Sequence, residues 1–202
     1  MAVLRRLALA AVAVMAVHPA FALDAETAKT TVNQAFADGI AAFGSKKLSA
    51  EQRQTVLVGL IQRYSDTGIV SADILGRHWQ KSATADQDAF RSTLMEYVTH
   101  SWTGSLDDVN AQTKLVLGTV EAKGDRFLVH GQAQEPGDQP TQIEAEVAPA
   151  ADGHPVIVDF AADGVSLVRT MKADFSSILR NNGGKISGLI DAMKAKISGS
   201  KD

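Results

Sequence analysis

The sequence predicts a single α+β domain in which several helices cover a curved, four-stranded antiparallel sheet. Apolar residues recur at the spacing of an amphipathic helix up to about Trp102, and they do so again after Gly164. Between these regions, short segments rich in valine, isoleucine and phenylalanine alternate with glycine, aspartate and proline turns. The chain therefore has the order helix, sheet, helix, and we expect one domain over residues 23–202.

Residues 1–22 have the features of a secretory signal peptide. Arg5 and Arg6 supply the positive start, and eleven apolar residues run from Leu7 to Val17. The small-x-small pattern Ala20-Phe21-Ala22 then provides a cleavage site. An uncleaved anchor is disfavoured because a membrane-spanning helix needs about 20 apolar residues. We therefore expect cleavage after Ala22 and export of the remainder.

Composition excludes several classes of function. The chain has 20 basic and 23 acidic residues, and two arginines lie within residues 1–22, so the exported part has 18 against 23 and a net charge of −5. This balance argues against a nucleic-acid-binding protein and against stable adhesion to an anionic membrane. The absence of cysteine excludes cysteine nucleophiles, thiolate metal sites and a lipoprotein anchor. A chain of this length can bury a core without disulfides.

Four helices are predicted before the sheet. The first covers Asp24–Phe43 with the aspartate as its cap, and the capping-box pattern Ser49–Gln52 opens the second. A short third helix follows from Ser71. A second capping-box pattern, Thr84–Gln87, opens a long fourth helix that ends near Trp102.

Four strands and two further helices complete the prediction. The strands are Lys114–Glu121, Arg126–Gln134, Gln142–Ala148 and Pro155–Phe160. Their short connections favour an antiparallel meander, since parallel pairing needs longer crossovers. After the sheet, one helix carries the apolar stripe Leu167, Met171, Phe175 and Ile178 and ends at Asn181–Gly184. Ser187 is expected to cap the last helix, and a loose tail is expected from Gly199.

The sequence motifs that suggest catalysis are incomplete. Gly164-Val-Ser166-Leu-Val168 follows a strand and precedes a helix, as a nucleophile elbow does, but it lacks the second glycine and no histidine follows it. Ser166 is better explained as a helix cap. Gly183-Gly184-Lys185 lacks the upstream glycine and the hydroxyl residue of a phosphate-binding loop. No catalytic residue and no cofactor are therefore predicted.

The histidines and carboxylates also form no local site. His78, His100, His130 and His154 are all far apart in sequence, so none forms a metal-binding pair with another on one helix. We therefore predict no metal site. Asp159, at the end of a strand, is expected to be a capping or salt-bridge partner of the next helix.

Three segments resemble one known family. The segment Asp159–Leu179, with Gly-Val-Ser-Leu followed by a basic residue and phenylalanine, resembles the signature of the MlaC family. These are periplasmic lipid carriers, also called toluene-tolerance or ABC-transporter auxiliary proteins. Leu75–Trp79, followed by Phe90 and Tyr97, is similar to the family's Leu-Gly-x-x-Trp…Phe…Tyr pattern, and Gly188-Leu189-Ile190 resembles its C-terminal helix.

The chain departs from the family pattern at two places. It has His154-Pro155 where members commonly place a tryptophan, and Lys172 where an arginine is usual. In these departures the chain resembles the branch of the family that is associated with hopanoid biosynthesis.

The resemblance implies a soluble, monomeric periplasmic carrier with an apolar pocket between sheet and helices. The pocket would take lipid acyl chains and leave the head group near the surface. The implied partners are a phospholipid or hopanoid, a membrane transporter complex and an outer-membrane lipoprotein complex, with no nucleic acid. By strand phase and helix face, the predicted pocket residues are Val116, Val129, Val147, Val158, Leu167, Met171 and Phe175.

Alternatives to a phospholipid carrier remain open at this point. One is a carrier or accessory factor for hopanoids or other polycyclic lipids. Another is an exported enzyme with a dispersed site, such as His130 with Asp159. The last is a protein-binding periplasmic adaptor without a ligand.

We predict that the exported form begins at Leu23, because the small-x-small pattern directly precedes it. N-terminal sequencing of protein recovered from the periplasm measures this directly. Recovery of periplasmic protein with Met1 still attached would contradict the prediction.

Overall fold

The computed structural model describes residues 23–44, 47–104, 106 and 109–199. The predicted signal peptide and the residues after Gly199 lie outside this part. The described elements, in chain order, are α1 (Ala25–Phe43), α2 (Ala50–Tyr64), α3 (Thr67–Leu75), α4 (Arg77–Lys81), α5 (Thr84–Trp102), β1 (Lys114–Lys123), β2 (Arg126–Gln134), β3 (Thr141–Pro149), β4 (Pro155–Ala162), β5 (Val165–Ser166), α6 (Leu167–Asn181) and α7 (Ile186–Gly199).

The caps predicted for the first two helices are present. The side chain of Asp24 accepts a hydrogen bond from the Thr27 N–H at 2.7 Å, which satisfies a free donor at the start of α1. Ser49 and Gln52 form a reciprocal capping box at the start of α2. The capping patterns in the sequence therefore predicted both helix starts correctly.

One predicted helix start is wrong, and one predicted cap is absent although its helix begins at Thr84 as expected. The third helix begins at Thr67 rather than at Ser71, because Asp66 caps it by accepting backbone hydrogen bonds. The expected capping box at Thr84–Gln87 is absent. The side-chain amide of Gln87 donates instead to the carbonyl of Trp79 at 2.8 Å, so it connects α5 to α4.

The last helix also begins one residue earlier than expected. Ile186 is its first residue, which places Ser187 inside the first turn rather than at the cap. Ile186 is fully buried, and its packing in the helical core outweighs the local preference of serine for a cap position.

The sheet has five antiparallel strands in the order β1-β2-β3-β4-β5, which corrects the predicted four. The four predicted strands are present, and β5 is the addition. It pairs with β4 through a two-residue turn, Asp163-Gly164, in which both residues have positive φ, 47° and 79°. Asp-Gly favours such a turn, but a two-residue strand is too short to show alternation.

A bulge in β1 determines which of its side chains share a face. The register passes from the pair Leu117–Gly131 to the pair Val120–Val129, which leaves an extra residue on β1. Leu117 and Val120 consequently pack in the same cluster as Val129, beneath α1. We call this side of the sheet the inner face and the opposite side the outer face. Val116 therefore lies on the outer face.

A second bulge changes the phase of β4. Glu146 pairs with Asp159 and Val147 with Ile157, so Val158 is the extra residue. Ile157 packs on the inner face, whereas Val158 packs in a separate cluster beneath α3.

The buried hydrophobic residues in the described part of the chain form three clusters. The inner-face cluster joins α1 to the sheet and consists of Ala28, Val32, Val129, Ala145 and Val147. A small cluster of Ala148, Val156 and Val158 packs against α3. The largest cluster, which we call the helical core, is made of Ile74, Leu75, Phe90, Leu94, Val168, Met171, Phe175, Leu179, Ile186, Leu189, Ile190 and Met193.

No helix in the described part of the chain combines the length and the apolar character needed to cross a bilayer.

We predict opposite effects of alanine at two glycines that both have open space around their Cα atoms. Gly164→Ala should lower the free energy of unfolding by about 1 kcal/mol, because alanine is strained at positive φ. Gly39→Ala, inside α1, should raise it by about 0.5–1 kcal/mol through a better helix propensity. Urea unfolding of both variants tests this, and the same sign for both changes would contradict the predicted turn and helix conformations.

Candidate functional site

A polar cavity of about 380 Å³ lies over the outer face of the sheet, next to α3 and α6. Its floor includes Leu128 and Ala161, and charged side chains from the sheet and both helices surround it. Asp159 and Ser166, two residues of the sequence signature, also line this cavity. It is therefore the place to test whether the signature residues are catalytic or structural.

An ion network centred on Arg126 closes one side of the cavity. The Arg126 guanidinium donates to both carboxylate oxygens of Asp73, at 2.6 and 3.1 Å, and to Glu146 Oε1 at 2.9 Å. All three side chains are about one quarter exposed. The hydrogen bond to Asp73 raises the pKa of Arg126, so the guanidinium is charged at any physiological pH. The network fastens α3 to β2 and β3.

Asp159 organises the junction of β4, β5 and α6. Its Oδ1 accepts from the Phe160 N–H at 2.8 Å and from the Val168 N–H at 3.0 Å. Its other oxygen accepts a short hydrogen bond from the Ser166 hydroxyl. Ser166 Oγ in turn accepts from the Arg169 N–H at 3.1 Å.

These bonds make Ser166 a helix cap, as expected from the sequence. The hydroxyl proton is used by the carboxylate of Asp159, and the side chain is only 3 % exposed. In the described hydrogen bonds no histidine contacts Ser166, so the elements of an activated serine are not assembled there.

His130 and Asp159, the proposed pair of the enzyme alternative, have different partners. His130 lies 3.4 Å from a carboxylate oxygen of Glu144 and 3.9 Å from one of Glu121. Asp159 is engaged by Ser166 and by backbone N–H groups. The described side chains also contain no group of three or more potential metal ligands close enough together to hold an ion.

The seven predicted pocket residues lie in four environments. Val129 and Val147 are in the inner-face cluster, and Val158 is in the cluster beneath α3. Met171 and Phe175 belong to the helical core, with Leu167 packed against it. Val116 is 49 % exposed on the outer face.

The structure therefore does not bring the seven together into one wall. Strand phase was the reason for grouping the four valines, and the bulges in β1 and β4 change that phase. Whether any of the seven contacts a lipid stays a prediction.

Sequence reasoning missed the Arg126 network entirely. Asp73 precedes Arg126 by 53 positions, and Glu146 comes next to Arg126 only through the β2–β3 register. No spacing in the sequence joins the three. The one available signal was a set of isolated charges within otherwise apolar segments.

We predict different effects of the same substitution at two buried serines. Ser166→Ala should lower the free energy of unfolding by about 1 kcal/mol, because it removes the cap of α6 and the donor to Asp159. Ser71→Ala is the matched control, since the Ser71 hydroxyl is fully buried without a hydrogen-bond partner among the described residues. It should leave stability unchanged or raise it.

Thermal or urea unfolding of both variants measures the difference, and equal losses would contradict the assigned roles. Ser166→Asp should also be destabilising. Aspartate caps helices as well as serine does, but here its carboxylate would face that of Asp159.

The sequence and the fold were compared with those of known proteins. Residues 29–195 match the family described as MlaC protein. The fold is similar to that of the phospholipid-binding protein from Ralstonia solanacearum solved in complex with a phospholipid, with a TM-score of 0.74 and 18% sequence identity. The match covers 85% of this chain and 97% of that one. No curated protein sequence matches significantly. Since the family match spans most of the sequence, the chain belongs to the MlaC family.

Proposed function

We propose that this protein is a periplasmic carrier that binds the acyl chains of a lipid and transports it between inner- and outer-membrane partners. The observation that supports this most is the separation of the hydrophobic residues into an inner-face cluster and a helical core. Large apolar side chains at the edge of the inner-face cluster, among them Leu115, Leu117 and Phe160, remain partly exposed. An acyl chain placed against them would complete their burial.

The energetics of transport support a carrier. Two long acyl chains have about 30 methylene groups, and each costs about 0.8 kcal/mol in water. Free diffusion across an aqueous compartment is therefore negligible. A carrier needs only to replace water with aliphatic side chains, and it needs no covalent step.

The ligand class follows from the family and from the relative. The Ralstonia solanacearum protein is described as phospholipid-binding, which favours a phospholipid here. The alternative is a hopanoid, supported by His154-Pro155 and Lys172 at positions where the family pattern differs. A hopanoid is a rigid polycycle and differs in mass from a phospholipid. Mass spectrometry of an organic extract of the purified protein would therefore distinguish the two.

Partners and location are part of the same proposal. The signal peptide expected at residues 1–22 supports export, and the family resemblance supports work in the periplasm. The direction of transport would be set by a membrane transporter complex on one side and an outer-membrane lipoprotein complex on the other. We expect the carrier itself to be a monomer.

A pair of adjacent tryptophan substitutions in β1 tests acyl-chain binding. Leu117 belongs to the partly buried rim of the inner-face cluster, whereas Val116 is 49 % exposed on the outer face. Leu117→Trp should reduce the lipid that co-purifies with the protein, because the indole fills space that the ligand needs. Val116→Trp should leave the lipid content unchanged. Mass spectrometry of organic extracts from natively purified protein measures both.

Thermal unfolding completes this test. If the inner face borders a ligand, Leu117→Trp should change the melting temperature little. In a filled core, overpacking costs typically about 1–3 kcal/mol and the melting temperature falls by several degrees. Such a fall, together with no lipid in the unmodified protein, would contradict the proposal and favour a protein-binding adaptor.

A further inference from the structure

A second cavity, whose lining shares no residue with the cavity at Asp159, opens between α4 and the start of α7. Its volume is about 660 Å³. It is built from two chain segments about a hundred residues apart, the turn of helix at Arg77–Lys81 and the loop that contains Gly183 and Gly184. We call it the α4–α7 cavity.

Three of the eleven residues that line the α4–α7 cavity carry a positive charge. Arg77, Lys81 and Lys185 are exposed, and none of them has an ion-pair partner among the described residues. His78 adds an imidazole, and the one carboxylate in the lining belongs to Asp86. The whole chain has a net charge of −3, so this is a local reversal of sign. A concave surface with unpaired cations concentrates anions.

A tight contact holds the two segments together. His78 Nδ1 donates to the carbonyl oxygen of Gly184 at 3.0 Å. Gly184 has a φ of 79°, and a Cβ there would lie 3.0 Å from the His78 ring. The Gly183 and Gly184 N–H groups donate to carbonyl oxygens at the end of α6, which ties the loop to that helix. The cations on both segments are thus held around one opening before any ligand binds.

The donors suit a phosphate group. An arginine can bind two phosphate oxygens at once, and lysines add point charges. The hydroxyl groups of Ser82 and Ser187 also line the cavity. A volume of about 660 Å³ admits more than a bare phosphate ion, so a phosphate with an attached polar group fits.

We infer that the α4–α7 cavity is a binding site for a phosphate group, carried either by a small soluble phosphate compound or by an anionic lipid head group at a bilayer surface. The inference does not depend on acyl-chain binding at the inner face. It concerns different elements and a charged rather than an apolar surface.

Two probes distinguish the sources of the phosphate. A calorimetric titration with glycerol phosphate tests binding of the soluble compound. Sedimentation with phosphatidylglycerol vesicles, compared with phosphatidylcholine vesicles at the same lipid concentration, tests the anionic bilayer. Binding of either kind should weaken as salt increases.

Variants locate the binding. Arg77→Gln and Lys81→Gln should each weaken the binding observed by about tenfold, the effect of losing one charge-assisted contact. Lys194→Gln is the matched control, because it removes one exposed charge from α7 outside the cavity.

Each outcome decides the inference. Binding of glycerol phosphate that is weakened in the two cavity variants supports a soluble ligand. Binding to anionic vesicles but not to glycerol phosphate, weakened in the same variants, supports a lipid head group. Absence of both, or an equal loss in Lys194→Gln, overturns the inference. The lipid content of the purified variants, measured by mass spectrometry, tests the carrier function separately and should not change.

Discussion

The Asp159 carboxylate is the constraint on which the rest of the structure depends. This one side chain accepts hydrogen bonds from the Val168 N–H at the start of α6, from the Ser166 hydroxyl and from the Phe160 N–H of its own strand. It can do so because the bulge in β4 directs it away from the inner face, while its neighbour Phe160 packs beneath α1. A carboxylate at a helix start also interacts favourably with the helix dipole. The family signature around Asp159 is therefore explained by architecture, with no need for catalysis.

The position of α6 then determines how the hydrophobic residues are divided. Because α6 starts at the outer side of the sheet edge, its apolar stripe packs with α3, α5 and α7 in the helical core, which contains no strand residue. The aromatic rings of Phe90, Tyr97 and Phe175 meet edge to face there. The sheet is left to pack mainly against α1. Single domains usually have one contiguous core with smaller satellite clusters, whereas the described part of this chain has two large clusters.

Ion pairs connect α3 to the sheet at a place where few apolar side chains are buried. The cluster between α3 and the sheet contains only three buried residues, and the Arg126 network lies beside it. Paired charges at partial burial add little net stability, but they are specific in geometry, because bidentate Arg126 contacts fix one position of α3. Near the opposite end of α6, Arg77, Lys81 and Lys185 form no ion pair with any residue that the structure describes. The charges of the Arg126 network are thus paired with one another, whereas the cations of the α4–α7 cavity are exposed to solvent.

The sequence by itself determined the helix, sheet, helix order, the four long strands, the caps at Asp24, Ser49 and Ser166, and the family. These depend on contacts between residues near one another in the chain, where spacing and side-chain chemistry suffice. Only the tertiary structure decided the fifth strand, the two bulges and the partners of Arg126. A bulge moves every later side chain of its strand to the other face of the sheet. The periodicity of the sequence does not show at which residue pair the strand pairing is interrupted. For that reason the sequence proposed one apolar wall, whereas the folded chain distributes the same side chains over separate clusters and both faces of the sheet.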